Sequence, residues 1–196
     1  IHELEGSKTD ILLGEYYDSF VVATGDQIFL KAGQKISSFD LTSNTLTLVR
    51  ELVDSYFMQI DYVNDKLFTM HNGNNGLRTF DSMIEGQDPV ILGQFDGYPG
   101  DGLSTFAVNS QEEVFTTNGD NLWKVTDTPE LVNVGYFNGN IESLNFYSDI
   151  LHAKIYDYNE NQRSLVRIDD IPEDPEAGVG YSLSFSQLNY ELGSDI

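Results

Sequence analysis

Apolar residues occur along this chain in short runs that alternate with polar residues, and turn-forming residues separate the runs. The clearest runs are 20–23, 27–30, 66–69 and 113–116. The turn formers Gly, Asn and Asp cluster at 25–26, 64–65, 118–120 and 138–140. Alternation with a period of two between turn formers is the pattern of β-strands, and helical periodicity is almost absent. The pattern therefore predicts an all-β sandwich, barrel or propeller.

A repeated segment decides between these three folds. Residues 36–40, 77–81, 122–126 and 165–169 each read apolar, two variable residues, apolar, and then a turn-starting Asp or Thr. The segments follow one another at intervals of 41, 45 and 43 residues. Two strand-like runs precede each segment and a further run follows it. Four strands in about 43 residues is the period of a propeller blade.

The repeats predict one β-propeller-like domain over residues 10–186, with terminal segments at 1–9 and 187–196. Its four blades, each of four strands, are predicted at approximately 18–54, 55–100, 101–140 and 141–186. The four blades form either a small closed ring or part of a larger propeller. Trp123 alternates with Leu122 and Val125, which predicts packing in the core or between blades.

The second repeat contains Gly76-Leu77-Arg78-Thr79-Phe80-Asp81 and then Asp88-Pro89-Val90-Ile91-Leu92-Gly93. This pattern resembles the LVIVD-type bacterial β-propeller repeats. The third repeat matches partly, and the first and fourth match only in hydrophobic outline. The resemblance implies a propeller, often on exported or surface proteins, and it transfers no catalytic residue to this chain. Propellers of that type usually have more than four blades.

The chain is strongly acidic. It carries 32 Asp and Glu residues against 10 Lys and Arg residues, a net charge of −22, and no cysteine. Nucleic acid is excluded as a partner and an anionic membrane surface is disfavoured, because binding to either requires clustered cations. No apolar run approaches the roughly 20 residues that span a bilayer. We expect an extracytoplasmic protein, whether secreted, periplasmic or on the cell surface, with a solvated acidic surface.

A calcium site is the first candidate for local chemistry. Asp157, Asn159 and Asn161 place oxygen-bearing side chains at alternate positions, and Ca²⁺ prefers six to eight oxygen ligands. The segment lacks the Gly and the terminal Glu of an EF-hand. The alternative is an Asx-rich hairpin turn between two strands.

The longest insertion between blades is the second candidate. It runs from Asp96 to Gly102 and contains Tyr98 and Asp101. Loops that lead into innermost strands lie on one rim of a propeller, where ligands commonly bind. Asp96, Tyr98 and Asp101 are therefore predicted to contact a ligand, with Tyr98 stacking on a sugar ring or a partner's side chain. The alternative is a flexible connection.

Catalytic chemistry finds little support in the sequence. His71 and His152 occupy different strand positions in non-adjacent repeats, and His2 is near the terminus. An enzyme would place Asp, Glu or His at the starts of the innermost strands, but those starts are the apolar residues Phe20, Phe57, Leu103 and Ile141.

The sequence thus favours a non-catalytic binding or assembly module whose partner is another protein, a second copy of the chain or a carbohydrate. An acidic ligand is disfavoured by the net charge. The alternative is a carbohydrate-active hydrolase or lyase that uses carboxylates in the channel. A third role is structural, with blade edges pairing with neighbouring chains.

Overall fold

The computed structural model describes residues 16–73, 76–96, 102–126, 130–137, 139–169, 171 and 185–187. These residues form sixteen β-strands in four antiparallel sheets of four strands each. No α-helix occurs in the described segments. The sheets are the blades of a four-bladed β-propeller, so the predicted all-β repeat fold is confirmed.

Within each sheet, the strands follow one another in the order of the chain. Blade 1 contains β1 (Ser19–Val22), β2 (Gln27–Ala32), β3 (Lys35–Asp40) and β4 (Thr45–Glu51). Blade 2 contains β5 (Ser55–Val63), β6 (Lys66–Gly73), β7 (Arg78–Met83) and β8 (Val90–Phe95). Blade 3 contains β9 (Thr105–Val108), β10 (Val114–Asn118), β11 (Asn121–Val125) and β12 (Leu131–Tyr136). Blade 4 contains β13 (Gly139–Tyr147), β14 (Ile150–Asp157), β15 (Gln162–Ile168) and β16 (Phe185–Gln187).

The first strand of each blade is the innermost one. Successive inner strands contact each other, β1 with β5, β5 with β9 and β9 with β13. Because the strands of a blade alternate in direction, the turn between the second and third strands lies on the same rim as the connection to the next blade. We call this the connection rim. The opposite rim, which we call the turn rim, carries the turn between the first and second strands of each blade.

The turn rim is held by hydrogen bonds that pass from one blade to the next. Thr24 Oγ1 of blade 1 donates to Asp65 Oδ1 of blade 2 at 2.8 Å, and Asn64 Nδ2 donates to the Ser110 carbonyl at 2.8 Å. Ser110 donates from its backbone N–H (2.9 Å) and its hydroxyl (2.8 Å) to Asp149 of blade 4. Asn64 and Asp65 both have positive φ, as the two central residues of a type I′ hairpin turn require.

Hydrogen bonds on the connection rim repeat at two interfaces. Between blades 1 and 2, the N–H of Phe57 donates to the Gly33 carbonyl at 2.8 Å. Between blades 3 and 4, the N–H of Ile141 donates to the Gly119 carbonyl at 2.9 Å. Gly33 and Gly119 both have positive φ, a conformation that costs glycine little. These two equivalent hydrogen bonds fix the start of the inner strand in blades 2 and 4 against the preceding blade.

The hydrophobic core lies between the blades, in three apolar clusters formed by the described residues. The cluster between blades 1 and 2 includes Phe29, Ile36, Phe57, Ile60, Leu67 and Met83. The cluster between blades 2 and 3 includes Phe68, Met70, Phe80, Phe95, Phe106 and Val114. The cluster between blades 3 and 4 includes Phe115, Leu122, Ile141, Leu151, Ile155 and Val166. Trp123 packs against the second cluster, between blades as its alternation predicts.

The part of the chain that the structure describes includes no helix with the length and apolar character needed to cross a membrane.

Candidate functional site in the central cavity

The four innermost strands surround a cavity of about 430 Å³. Sites for small molecules commonly have volumes of roughly 300–1,000 Å³. Most of the lining side chains are polar, namely Ser19, Gln59, Asp61, Ser104, Thr105, Glu142, Ser143 and Asn145. Every blade contributes to this lining, so the cavity depends on all four blades.

The polar lining corrects the sequence prediction of an apolar channel. Phe57, Leu103 and Ile141 are each 1% exposed and pack in the clusters between blades, and of the four predicted residues Phe20 alone lines the cavity. Bulges between Phe57 and Gln59 and between Ile141 and Ser143 shift the register of the inner strands. A shift by one residue exchanges the side chains on the two faces of a strand. In blades 2 and 4, polar side chains therefore reach the cavity instead.

Gln59 ties the inner strands of blades 2 and 3 together. Its Oε1 accepts hydrogen bonds from the Phe106 N–H at 3.0 Å and the Thr105 hydroxyl at 2.9 Å. Its Nε2 donates to the Phe106 carbonyl at 2.6 Å. The amide thus binds both the N–H and the carbonyl of one residue of β9, as a residue of a neighbouring strand would.

Among the described residues, Asp61 is one of two carboxylates that line the cavity. Its oxygens accept hydrogen bonds from the N–H of Tyr62 at 2.8 Å and the N–H of Val108 at 3.1 Å. Burial raises the pKa of Asp61, and the two backbone donors only partly offset this effect. Asp61 therefore takes up a proton more readily than an ordinary aspartate does.

Glu142 is the second of these carboxylates, and it forms ion pairs with two cationic side chains. Lys154 Nζ lies 2.9 Å from its Oε2, and Arg163 Nε donates to its two oxygens at 2.9 and 3.0 Å. The hydrogen bond from Lys154, supported by Arg163, holds the pKa of Glu142 below its ordinary value despite some desolvation. Glu142 is thus ionised and has its charge balanced at neutral pH.

The remaining described lining combines hydroxyl and amide groups with the ring of Phe20 and the aliphatic residues Val21, Ile60 and Leu144. Ser143, Asn145 and Ser104 are exposed, and the ring of Phe20 is 67% exposed. Small polar groups beside an accessible ring can bind the hydroxyls and the apolar face of a small ligand at the same time.

The connection that contains the predicted rim-loop site ends at residues that line the cavity. Asp96 is exposed directly after β8, whereas Tyr98 and Asp101 lie outside the described residues. The same connection ends at Ser104 and Thr105, which line the cavity. The described part of the loop therefore lies on the connection rim, and ligand contact by its three predicted residues remains a prediction.

The predicted calcium segment forms the turn between β14 and β15. Asp157 Oδ1 accepts hydrogen bonds from the N–H groups of Asn159 (2.7 Å) and Glu160 (3.2 Å). Asn161 has a φ of 53° and accepts a hydrogen bond from the Tyr156 hydroxyl. Among the described residues, no group of three or more His, Cys, Asp or Glu side chains is placed to hold a metal.

Calcium binding at Asp157, Asn159 and Asn161 remains a prediction with a direct test. If Ca²⁺ binds there, millimolar Ca²⁺ raises the melting temperature and a chelator lowers it, because ligands of the native state stabilise it. Asp157→Ser keeps a side chain that can cap the turn but removes the carboxylate, so it must abolish the Ca²⁺ effect. A melting temperature that is indifferent to both Ca²⁺ and chelator would end the calcium hypothesis.

A buried ionic cluster was not predicted from the sequence. Asp81 is 1% exposed and accepts hydrogen bonds from Arg50 Nη1 (2.8 Å), Arg50 Nη2 (2.9 Å) and Thr69 Oγ1 (2.6 Å). His71 Nε2 lies 2.9 Å from Oδ2 of Asp81, the oxygen that also accepts the hydrogen bond from Arg50 Nη2. Arg50 belongs to blade 1 and the other three residues to blade 2. The cluster therefore joins two blades, and His71 serves this structural contact through its bond to Asp81.

The repeat pattern misassigned Asp81. It was predicted to start a turn, as Asp40 does in blade 1, where Oδ1 accepts the N–H groups of Thr42 and Ser43 at 2.8 Å each. Asp81 instead lies inside β7, two residues before its end. A charged residue inside a predicted strand was the available signal, since such a residue is buried only when it is paired.

Comparisons with known proteins support the fold. No family model matches the chain, and no curated protein matches it in sequence. A Bacteroides thetaiotaomicron protein of unknown function superposes with a TM-score of 0.59 at 12% identity, covering 87% of this chain and 45% of that one. A luciferin-regenerating enzyme gives 0.56 at 7% identity, covering 86% and 62% of the respective chains. The calcium-binding protein regucalcin from Agrobacterium tumefaciens gives 0.56 at 10% identity, covering 76% and 55%.

The chain spans about half of the length of these similar structures. At such identities the likeness concerns the fold alone.

Proposed function

We propose that this propeller is a non-catalytic binding module that takes a small, uncharged, polyhydroxylated ligand of the carbohydrate class into its central cavity. The observation that carries the proposal is the cavity lining, in which exposed hydroxyl and amide groups lie beside the exposed ring of Phe20. The loop with Asp96, Tyr98 and Asp101 would contact the ligand at the rim. Export, a calcium ion and membership of the LVIVD-type repeats belong to the same proposal, and none of them is needed for the cavity to bind.

Electrostatics narrow the ligand class. A net charge of −22 disfavours anions over the whole surface. Lys154 and Arg163 are already paired with Glu142. Neither of these two cations is therefore free to bind an acidic group of a ligand. A neutral sugar is not repelled by the acidic surface and needs no cationic partner.

The first test is calorimetric titration with neutral mono- and disaccharides, including glucose, galactose and cellobiose, and with glucuronate as the charged counterpart of glucose. We expect at least one neutral sugar to bind and glucuronate to bind more weakly than glucose. Asn145→Ala should weaken sugar binding about 2- to 10-fold, because one neutral hydrogen bond contributes roughly 0.5–1.5 kcal/mol. Thr47→Ala, an exposed position on β4 outside the cavity lining, is the matched control and should leave affinity unchanged.

The proposal fails if no neutral sugar binds, or if Asn145→Ala and Thr47→Ala are indistinguishable. Preferential binding of glucuronate would contradict the electrostatic argument and leave the cavity with a different ligand class.

A carbohydrate-active enzyme is the second candidate, and one observation favours it. The two carboxylates of the cavity have pKa values shifted in opposite directions, upwards for Asp61 and downwards for Glu142. Such a difference can separate a general acid from an ionised nucleophile or base. Against this, both carboxylates are already engaged by other groups of the protein.

Aryl glycoside hydrolysis tests this second candidate. An enzyme of this kind would lose turnover in both Asp61→Asn and Glu142→Gln while still binding sugar. Sugar binding without turnover in the unaltered protein would leave the binding module as the function.

A further inference from the structure

A second cavity, of about 420 Å³, lies between blades 3 and 4 at the turn rim. We call it the interblade cavity. It is separate from the central cavity, because the two share none of their described lining residues. Its described lining combines two carboxylates, two amides, one ammonium group and three apolar side chains, namely Asn109, Gln111, Glu113, Phe115, Lys124, Phe146, Asp149 and Ile171. Gln111 and Asp149 are exposed, so the cavity is reached from solvent on that rim.

The aromatic base of the interblade cavity has an equivalent between blades 1 and 2. Phe115 of blade 3 packs against Phe146 of blade 4, with ring centroids 5.5 Å apart. Phe29 of blade 1 stacks on Tyr62 of blade 2 at 5.4 Å. Each pair joins the second strand of one blade to the inner strand of the next. The interface between blades 1 and 2 therefore serves as an internal reference for the one between blades 3 and 4.

The two interfaces differ in how the space beside these rings is filled. Between blades 1 and 2, Glu85 bridges the gap, accepting hydrogen bonds from Gln27 Nε2 at 2.8 Å and the Ser38 hydroxyl at 3.2 Å. The cavity left there is only about 20 Å³. Between blades 3 and 4, Glu113 and Lys124 occupy the positions of Gln27 and Ser38 in the strand register, and they pair with each other at 2.5 Å. The same frame thus leaves a small space at one interface and a large, charged one at the other.

The described lining of the interblade cavity has one more anion than cation. Glu113 Oε2 accepts a hydrogen bond at 2.6 Å from Nδ2 of Asn109, a side chain that is 6% exposed. Burial raises the pKa of Glu113, but the hydrogen bonds from Lys124 and Asn109 outweigh it and hold the pKa below its ordinary value. The backbone N–H and the hydroxyl of Ser110 likewise hold the pKa of Asp149 below its ordinary value. Both carboxylates are therefore ionised at neutral pH, and Lys124 balances one of them.

We propose that the interblade cavity binds a small organic cation, a primary ammonium group carried on an apolar body. The carboxylates of Glu113 and Asp149 would balance the ammonium group, and the partly buried ring of Phe146 would contact the apolar body. An aromatic face also attracts a cation, as the ring of Phe115 does Lys124 at 5.9 Å. A net charge of −22 raises the local concentration of cations and disfavours anions. This inference goes beyond the proposed function and needs no ligand in the central cavity.

The test is calorimetric titration of the full chain at about 0.15 M ionic strength, where attraction by distant exposed charges is largely screened. The probes are phenethylamine, the neutral 2-phenylethanol and the anionic 3-phenylpropionate, which share a phenyl ring and differ in charge. We expect phenethylamine to bind about 10-fold or more tightly than 2-phenylethanol, because hydrogen bonds between charged groups are stronger than neutral ones. Binding of 3-phenylpropionate should not be detectable.

Two variants make the interblade cavity resemble the filled interface between blades 1 and 2. Glu113→Gln introduces the side chain of Gln27 and should weaken phenethylamine binding about 10-fold. Phe146→Tyr introduces the side chain of Tyr62, whose hydroxyl donates to an aspartate of its own interface at 3.4 Å, and should weaken binding about 3-fold. Glu130→Gln removes the same charge from an exposed glutamate outside the cavity lining, and this matched control should leave the affinity unchanged.

The amine and the sugar can be tested independently, because their sites share no described residue. Asn145→Ala, in the central cavity, should leave the affinity for phenethylamine unchanged. A loss of phenethylamine binding in Asn145→Ala would place the amine in the central cavity and overturn the proposal. So would equal affinities for phenethylamine and 2-phenylethanol, no binding of phenethylamine, or an affinity that neither Glu113→Gln nor Phe146→Tyr changes. If Glu113→Gln proves to be unfolded, Phe146→Tyr decides alone.

Discussion

Asp81→Asn is expected to lower the free energy of unfolding by about 3–5 kcal/mol, the usual cost of removing one partner from a buried ion pair. The change leaves the guanidinium of Arg50, whose side chain is 15% exposed, without its carboxylate between blades 1 and 2. It also weakens the acceptor for Thr69 and His71. Urea denaturation at neutral pH measures the loss. Asp88→Asn, an exposed aspartate in the next turn of the same blade, is the matched control and should stay within about 0.5 kcal/mol of the unaltered protein.

The same carboxylate gives a pH dependence with a defined sign. Burial raises the pKa of Asp81, but the hydrogen bonds from His71, Arg50 and Thr69 outweigh it and hold the pKa below 3.8, the ordinary value. The stability that Asp81 contributes is therefore fully present above pH 3.8 and is lost as the pH falls through the folded-state pKa. The stability difference between the unaltered protein and Asp81→Asn should shrink in that acidic range. A difference that stays constant there would show that the charge of Asp81 is not what stabilises the interface.

Phe80→Ala should cost a similar amount, about 3–5 kcal/mol, because it empties the centre of the cluster between blades 2 and 3. Phe80 is 1% exposed and makes edge contacts with Phe95 and Phe106, with ring centroids 6.0 and 5.9 Å apart. Aromatic pairs of this geometry stabilise beyond their buried area. Denaturant unfolding followed by Trp123 fluorescence is the measurement, since Trp123 packs against the same cluster.

Phe20→Ala is the matched control for this truncation. It removes the same phenyl group from a side chain that is 67% exposed, and should change stability by no more than about 0.5 kcal/mol. Equal losses for Phe80 and Phe20 would contradict the assignment of the core to the spaces between blades.

The fold was predictable because its signals are local. The repeated segments 36–40, 77–81, 122–126 and 165–169 all fall on third strands, β3, β7, β11 and β15, or at their ends. Period-two alternation and turn residues such as Asn64-Asp65 depend on neighbours in the chain, and the hairpins form where they were expected. A single repeated strand position was therefore enough to identify the blade.

The site was less predictable because its signals are not local. The bulge after Phe57 directs the side chain of Gln59 towards β9. This orientation depends on the pairing of β5 with β6 and on the neighbouring blade. Asp81 and Asp40 occupy similar positions in their repeats, yet only Asp81 has an arginine from the preceding blade within reach. Cavity lining and buried charge pairs are decided by contacts between repeats, which the pattern within one repeat does not contain.

The two rims differ in how much change they can accept. On the turn rim, Thr24, Asn64 and Ser110 each bind the next blade, so an insertion there would break a link between blades. On the connection rim, the segment between successive blades has three residues after β4 but nine after β8. The connections between successive blades thus accommodate loops of unequal length. Related chains could diversify what they recognise by lengthening those connections, while the opposite side keeps the blades in place.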